Sequence, residues 1–326
     1  MTGGAEAVDV VTFGEVMGMF VADDEGDLAE VTRFTRSLAG AEFNVAVGLA
    51  RLGHRVAWVG RLGDDPVGRS ALAAMTRAGL VTDAVTVARG ERTGLQLKSR
   101  TLVGDPEVVY YRRHSAGREL ASTAVSDALV RSARHLHATG IPLGLGARMR
   151  TFAHDTVTTA RAAGVRVSVD PNLRPSLWSS TEEMVRETNA LAMRADWVLP
   201  GLAEGRLLTG ADDAEGVAAF YLDRGAAVVA VKDGRRGAQL FTAAGERVRV
   251  GPLPVVAVDT VGAGDGFAAG LISAGLDGLD PAGMALRAAG TGALATTAFG
   301  DQEGLPTRTA LDALLNSSFN SEMVAS

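Results

Sequence analysis

The chain has no cysteine, so disulfides and thiolate-bound metals are excluded. Nowhere does an apolar run reach the roughly 18–20 residues that a membrane span requires. The opening stretch Met1–Ala7 holds two glycines and one acid, with neither a basic start nor an apolar centre. No secretory signal is read there, and the cytoplasm is the expected compartment. Positive charge is short as well: 32 Lys and Arg stand against 38 Asp and Glu, a formal charge of −6. Nucleic acid is therefore not an expected partner, because phosphate neutralisation needs clustered cations. That balance leaves room for a locally basic pocket around a small anion. His54, His114, His135, His137 and His154 share no metal-ligand spacing with acids; His135 and His137, two apart, suit one face of a strand. The Walker A string G-x-x-x-x-G-K-[ST] and the protein-kinase catalytic loop are both missing.

What is present is regular in order. With 47% hydrophobic and 21% charged residues over 326 positions, the chain suits one large α/β domain with a small accessory element. Val8–Phe13 reads as a first buried strand, and Asn44–Leu52 has helical spacing ended by Gly53. Arg55–Val59, Val165–Val169, Trp197–Leu199 and Ala227–Val231 read as further strands. Between them, Ser70–Ala78, Arg150–Ala163, Thr181–Ala192 and Val217–Asp223 read as helices. Strand and helix alternate with short links, which predicts a parallel sheet covered on both faces. Gly18–Leu38 and Glu91–Gly117 break the rhythm and suit exposed antiparallel strands. The segment Asn316–Ser326 is polar and is expected to fray.

The most informative segment is Asp259–Gly266, which joins the apolar run Pro254–Val258 to Phe267–Ile272 and reads as strand, glycine loop, helix. Small residues let the backbone approach a phosphate, and the helix start turns free N–H groups and a positive dipole end toward it. The N–H groups around Gly262, Ala263 and Gly264 could stabilise charge on a transferred phosphoryl group. A carboxylate is out of place at an anion site unless it has work there, and Asp265 is placed to take a proton from an attacking hydroxyl.

The string Asp259–Gly266 resembles the signature of the ribokinase-like (PfkB) sugar and nucleoside kinases, and Ala39–Gly53 resembles that family's N-terminal signature. The resemblance runs from Val8 to about Thr309. It implies a single ribokinase-like domain over 1–326, three-layer α/β/α with a mainly parallel central sheet. A small β-sheet lid is implied at about 18–38 and 91–117, often also the surface through which a homo-oligomer forms. It further implies ATP and Mg²⁺, and in some members a monovalent cation beside the loop's first aspartate, here Asp259. Gly40 and Asn44 would hold sugar hydroxyls. Lys232–Ala238 resembles the turn beside the nucleotide, with Lys232, Gly234 and Gly237 at the binding positions, although relatives often have Thr or Ser at 232. The small-residue stretch Ala288–Ala295, with Ala289, would wall the adenine pocket. Glu204 stands where the family has the glutamate of N-x-x-E that organises the metal's waters, with Gly201 in place of the asparagine.

On the acceptor side, Asp170–Pro175 follows a strand, so Arg174 lies at a carboxyl end of the sheet, where open α/β sheets bind ligands. Tyr110 and Arg112 are two apart on a proposed lid strand and should share a face. Together these resemble 2-keto-3-deoxygluconate kinases, whose lid tyrosine and arginine and D-P-N-x-R arginine contact the acid sugar. In Thr93–Leu97, Gln96 replaces the tyrosine common in those kinases. Fructokinase, ribokinase or another sugar kinase is the alternative within the enzyme class, and a non-catalytic sugar-binding regulator the alternative outside it.

Overall fold

The computed structural model describes residues 7–101 and 106–324, with side chains up to 317. Part of the lid segment, 102–105, lies outside the described residues. The strands in chain order are β1 Val10–Phe13, β2 Met17–Glu25, β3 Phe34–Ala39, β4 Val56–Gly63, β5 Val85–Ala88, β6 Gly94–Arg100 and β7 Val108–Tyr111. They continue as β8 His135–Thr139, β9 Arg166–Asp170, β10 Trp197–Val198, β11 Val228–Lys232, β12 Ala238–Thr242 and β13 Arg247–Val250.

A nine-stranded sheet has the order β13-β12-β11-β10-β9-β8-β1-β4-β5. Its members pair in parallel from β11 through β5. β12 and β13 add an antiparallel edge. The inner strands are buried because both faces are covered; β1, β10 and β11 are mostly apolar, whereas β8 and β9 bury polar side chains as well. Val11 and Phe13 point into one core with Phe152 and Met149, while Val10 points into the other with Phe43, Trp58 and Leu271. That alternation along β1 makes three layers. His135 and His137 are fully buried on β8 and share Ser168 Oγ at 2.8 and 2.9 Å. Burial holds His135 well below the usual histidine range and pushes His137 down to about 3, so both serve as neutral packing groups.

The second sheet, β3-β2-β6-β7, is built from the two segments that broke the rhythm. Their strands were expected to be antiparallel, and within each segment they are: β2 pairs with β3, and β6 with β7. The seam between β2 and β6 is parallel. Those strands come from segments separated by a long excursion through the main sheet, and only such a connection allows parallel pairing.

Two further expectations are corrected. Pro254–Val258 forms no strand; Val256 is 84% exposed. Pro252 and Pro254 remove the N–H groups that a ladder needs, so the sheet ends at β13. The segment from Asn316 continues the helix Arg308–Val324 rather than fraying at its start, with Ala325 and Ser326 outside the described residues.

The helix Ala263–Leu276 lies against Pro281–Ala295 at very short range, because a Cβ on Gly270 would stand 2.7 Å from the carbonyl oxygen of Arg287. Gly270→Val should therefore force the two helices apart and destabilise the protein by roughly 1–3 kcal/mol. A urea denaturation midpoint equal to that of the unsubstituted protein would contradict this packing.

Candidate active site

β1 has β4 on one side and β8 on the other, so the chain leaves it in both directions and a crevice opens at the strands' carboxyl ends. Glu15 lies just past β1, Asp170 closes β9, Glu204 sits in the helix Leu202–Thr209 after β10, and Lys232 closes β11. The small sheet covers the crevice from above, with Gln96 and Lys98 of β6 and Tyr110 of β7 turned into it. The enclosed cleft has a volume of about 570 Å³ and also receives Gly40, Asn44, Arg112, Arg174, Gly262, Gly264 and Asp265. A larger hollow of about 800 Å³ lies at the opposite, amino ends of the strands. It holds none of the expected groups; its Arg134 is spent on Asp9, and its Arg166 stacks on Trp197.

Two glycine-started helices bring the centre together. Gly40 precedes the helix Ala41–Arg51 with φ 153°, and a Cβ there would meet the carbonyl oxygen of Glu15 at 2.8 Å. Gly262 precedes Ala263–Leu276 with φ 80°, and its Cβ would stand 2.6 Å from the carbonyl oxygen of Asp301. Both positions demand glycine. At the start of Ala263–Leu276 the N–H groups of Gly264 and Asp265 precede any intrahelical acceptor, while the Ala263 N–H donates to the Thr260 carbonyl oxygen at 3.4 Å. A Cβ on Gly264 would meet nothing nearer than Lys232 Nζ at 3.6 Å, so that face of the loop is open to the cleft.

Asp265 is buried, and Asn44 Nδ2 donates to its Oδ2 at 2.7 Å. Gln302 Nε2 in turn donates to Asn44 Oδ1 at 3.0 Å, which fixes the amide's orientation. Asn44, expected to hold sugar hydroxyls, thus has both ends of its amide engaged and holds Asp265. Burial pushes the Asp265 carboxyl up to about 7, Asp170 and Asp301 add to that, and Asn44 and Lys232 oppose it.

Around this carboxyl, cations and acids alternate. Lys232 forms an ion pair with Asp170 deep in the cleft. Burial raises the Asp170 carboxyl; it also opposes charge on Lys232, but Asp170, Glu204 and Asp265 outweigh it and keep the ammonium protonated. Arg112 Nε donates to Glu15 Oε2 at 2.8 Å, its Nη2 contacts the same oxygen, and Ser115 Oγ donates to Oε1. Arg112 is therefore already compensated, with the Tyr110 ring centroid 5.6 Å from its Cζ. Arg174 donates Nη1 to the Leu173 carbonyl and makes no ion pair among the described residues. Glu42, buried in the cleft floor, accepts from Thr139 Oγ1; burial pushes it up to about 7, and Arg112 and Arg174 oppose that rise.

Among the described residues no group of three or more His, Cys, Asp or Glu could hold a metal ion by itself. Glu204 accepts the Leu173 N–H on Oε1 at 2.6 Å and the Gly201 N–H on Oε2 at 2.9 Å. Each oxygen keeps a second lone pair, which fits a hydrated ion that Glu204 meets through water. Beside Asp259, the position next to which the resemblance places a monovalent cation in some members, stands Lys98 Nζ at 3.0 Å.

Three expected nucleotide residues are not in the cleft lining. Gly234 lies in the turn after β11, and Gly237 has φ 89° where a Cβ would stand 2.0 Å from the Val250 carbonyl oxygen, so the turn itself requires it. Ala289 lies half-buried on Pro281–Ala295, which packs against the helix of Asp265 through Gly292, where a Cβ would stand 2.9 Å from the Ala263 carbonyl oxygen. Conversely, Glu15, Glu42, Lys98, Asp301 and Gln302 were missed. Glu42 stands inside the N-terminal motif and Glu15 directly after a strand, which were usable signals. Asp301 and Gln302 follow the small-residue helix with no local pattern.

The sequence model described as pfkB family carbohydrate kinase matches residues 7–308. The chain is 46% identical over 310 residues to 2-dehydro-3-deoxygluconokinase of Bacillus subtilis (strain 168), covering 95% of this chain and 96% of that one. Fructokinase-2 of Solanum habrochaites is 33% identical over 266 residues, 81% of this chain and 80% of the relative. Among solved structures, an E. coli protein provisionally named ribokinase II, in complex with ATP and Mg²⁺, superposes with a TM-score of 0.87 at 25% identity, covering 95% of this chain and 99% of that one. No helix among the described residues is long and apolar enough to cross a membrane. The cleft, the glycine loop and these likenesses agree: the chain belongs to the pfkB family of carbohydrate kinases and is an ATP-dependent sugar kinase.

Proposed function

We propose that the chain phosphorylates 2-keto-3-deoxygluconate (2-dehydro-3-deoxygluconate) at its terminal hydroxyl. The observation that carries this reading is Arg174, a cleft guanidinium with no ion-pair partner among the described residues. A half-buried cation left uncompensated calls for an anionic ligand. The 46% identity to a kinase of that name supports the same assignment. In this reading the sugar carboxylate meets Arg174, while the Arg112–Glu15 pair and Tyr110 offer donors and acceptors to the hydroxyls.

Asp265 takes the proton of the terminal hydroxyl as its oxygen forms a bond to the γ-phosphorus of ATP, and the bond to the bridging oxygen of ADP breaks. The N–H groups of Gly262–Gly264 and the ammonium of Lys232 stabilise the charge on the transferred group. Mg²⁺, when bound with ATP, neutralises phosphate charge; Glu204 would hold it through water. A carboxyl poised near 7 suits a base at neutral pH. An ATP donor suits the cytoplasm. The outward Tyr111, 61% exposed on β7, offers the lid surface for a homo-oligomer. A neutral ketose is the second reading, favoured by Gln96 in the cleft and by the fructokinase likeness.

These roles have measurable consequences. The base must be ionised to act, so kcat/KM should be lost as pH falls through about 7, with unit slope on the acid side. Asp265→Asn should keep ATP binding and lower kcat by roughly 10²–10⁴-fold; near-normal turnover would remove Asp265 from this role. Arg174→Ala removes a charge-assisted contact worth about 1.5–3 kcal/mol, so KM for the keto-acid should rise roughly ten- to a hundredfold while KM for fructose barely moves. Better turnover of fructose than of the keto-acid by the unsubstituted enzyme would overturn the substrate assignment.

A further inference from the structure

Lys98 belongs to the lid but reaches the catalytic loop. It lies on β6, two residues after Gln96 and on the same face, with a side chain only 5% exposed. Its Nζ stands 3.0 Å from Asp259 Oδ2 and 3.8 Å from Asp301 Oδ1. Asp259 opens the glycine loop and ties it down, accepting the Val261 N–H on Oδ1 at 3.0 Å and the Gly300 N–H on Oδ2 at 3.4 Å. Asp301 supports the loop from the other side: its carbonyl oxygen lies 2.6 Å from where a Cβ on Gly262 would be. Its carboxyl is buried, and Oδ1 has no hydrogen-bond partner, so the ammonium is the positive group facing it. The two carboxylates repel each other, and Asp301 also weighs on Asp265. Two neighbouring buried carboxyls need either a shared proton or a cation between them, and here an ammonium is in place.

We propose that Lys98 is a positioning residue for phosphoryl transfer: its ammonium, delivered by the lid strand that also carries Gln96, clamps Asp259 and Asp301 and so shapes the Gly262–Gly264 anion site. The lid's position is thereby coupled to the alignment of the loop's N–H groups, and the enzyme carries its own cation beside the loop's first aspartate. The proposal rests on the reading of this loop as the site that stabilises the transferred phosphoryl group.

The test compares Lys98→Met and Lys98→Arg with the unsubstituted enzyme, in choline chloride and in ammonium or potassium chloride at equal ionic strength. Lys98→Met should lose kcat by roughly 10- to 100-fold, the cost of a misplaced catalytic group, with little change in KM for the acceptor. Ammonium or potassium should restore part of that loss by entering the space between the carboxylates. Lys98→Arg should keep most of the turnover, and the unsubstituted enzyme should be indifferent to the salt. Turnover is read with whichever of the keto-acid or fructose the enzyme prefers, so a wrong substrate assignment leaves this comparison intact. Melting curves give a readout that needs no turnover: ammonium or potassium should raise the melting temperature of Lys98→Met above its value in choline, and leave the unsubstituted protein unmoved. A loss restored by neither arginine nor added cation, an unchanged kcat in Lys98→Met, or a potassium requirement in the unsubstituted enzyme would each overturn the clamp.

Discussion

A carboxylate buried at the start of a helix is the constraint around which the rest of this molecule is arranged. In the proposed mechanism Asp265 lies beside the transferred phosphate, so it cannot be shielded by water or by a permanent ion pair. Its charge is steadied instead by Asn44, at 2.7 Å, and by the nearby ammonium of Lys232. For Asn44 to reach it, two helices distant in sequence must touch closely. Gly48 permits this, since a Cβ there would stand 2.9 Å from Ala269 Cβ. The glycines of the following helix pair continue the same tight packing, so the small residues along these helices set the position of one carboxyl group.

The cleft applies a second rule, in which charge is balanced wherever no ligand charge is needed. Lys232 faces Asp170, Arg112 faces Glu15, and Lys98 faces Asp259. Buried pairs of this kind add little net stability, because desolvation offsets much of their attraction. Their effect here is to hold side chains in place and to leave Arg174 as the cleft guanidinium without an ion-pair partner among the described residues, which the proposed function makes the point of recognition. Glu42, with its carboxyl pushed up to about 7 by burial, feels the charges of both Arg112 and Arg174 and is ion-paired with neither among the described residues. On the proposed function, selectivity between an acid sugar and a neutral one would rest on an imbalance of one charge within an otherwise neutralised pocket.

The sheet architecture was legible because periodicity survives in a single sequence. Val10–Phe13 and Val228–Lys232 are largely apolar and buried on both faces, Arg166–Asp170 alternates apolar with polar residues, and Thr181–Ala192 begins and ends where its capping and spacing say it should. The glycine loop and Asp265 were legible for a different reason: phosphate chemistry requires local backbone geometry, and local geometry requires particular residues. Pro254–Val258 misled because apolar content alone does not make a strand when two prolines deny it a ladder. The parallel β2–β6 seam was invisible, since pairing partners are chosen by topology rather than by either strand.

The fold class, the anion loop, its carboxylate and the cations meant for the cleft could all be read along the chain, because each depends on short-range chemistry. Which of those charges are free was settled by packing alone. Arg112 and Arg174 look alike in the sequence, yet one is tied to Glu15 across 97 residues and the other is left open. Lys98 and Asp259 are 161 residues apart, and Asn44 and Asp265 are 221 apart. Electrostatic partnership depends on distance in space, and a chain read along its length carries no record of distances that the packing of helices and sheets creates.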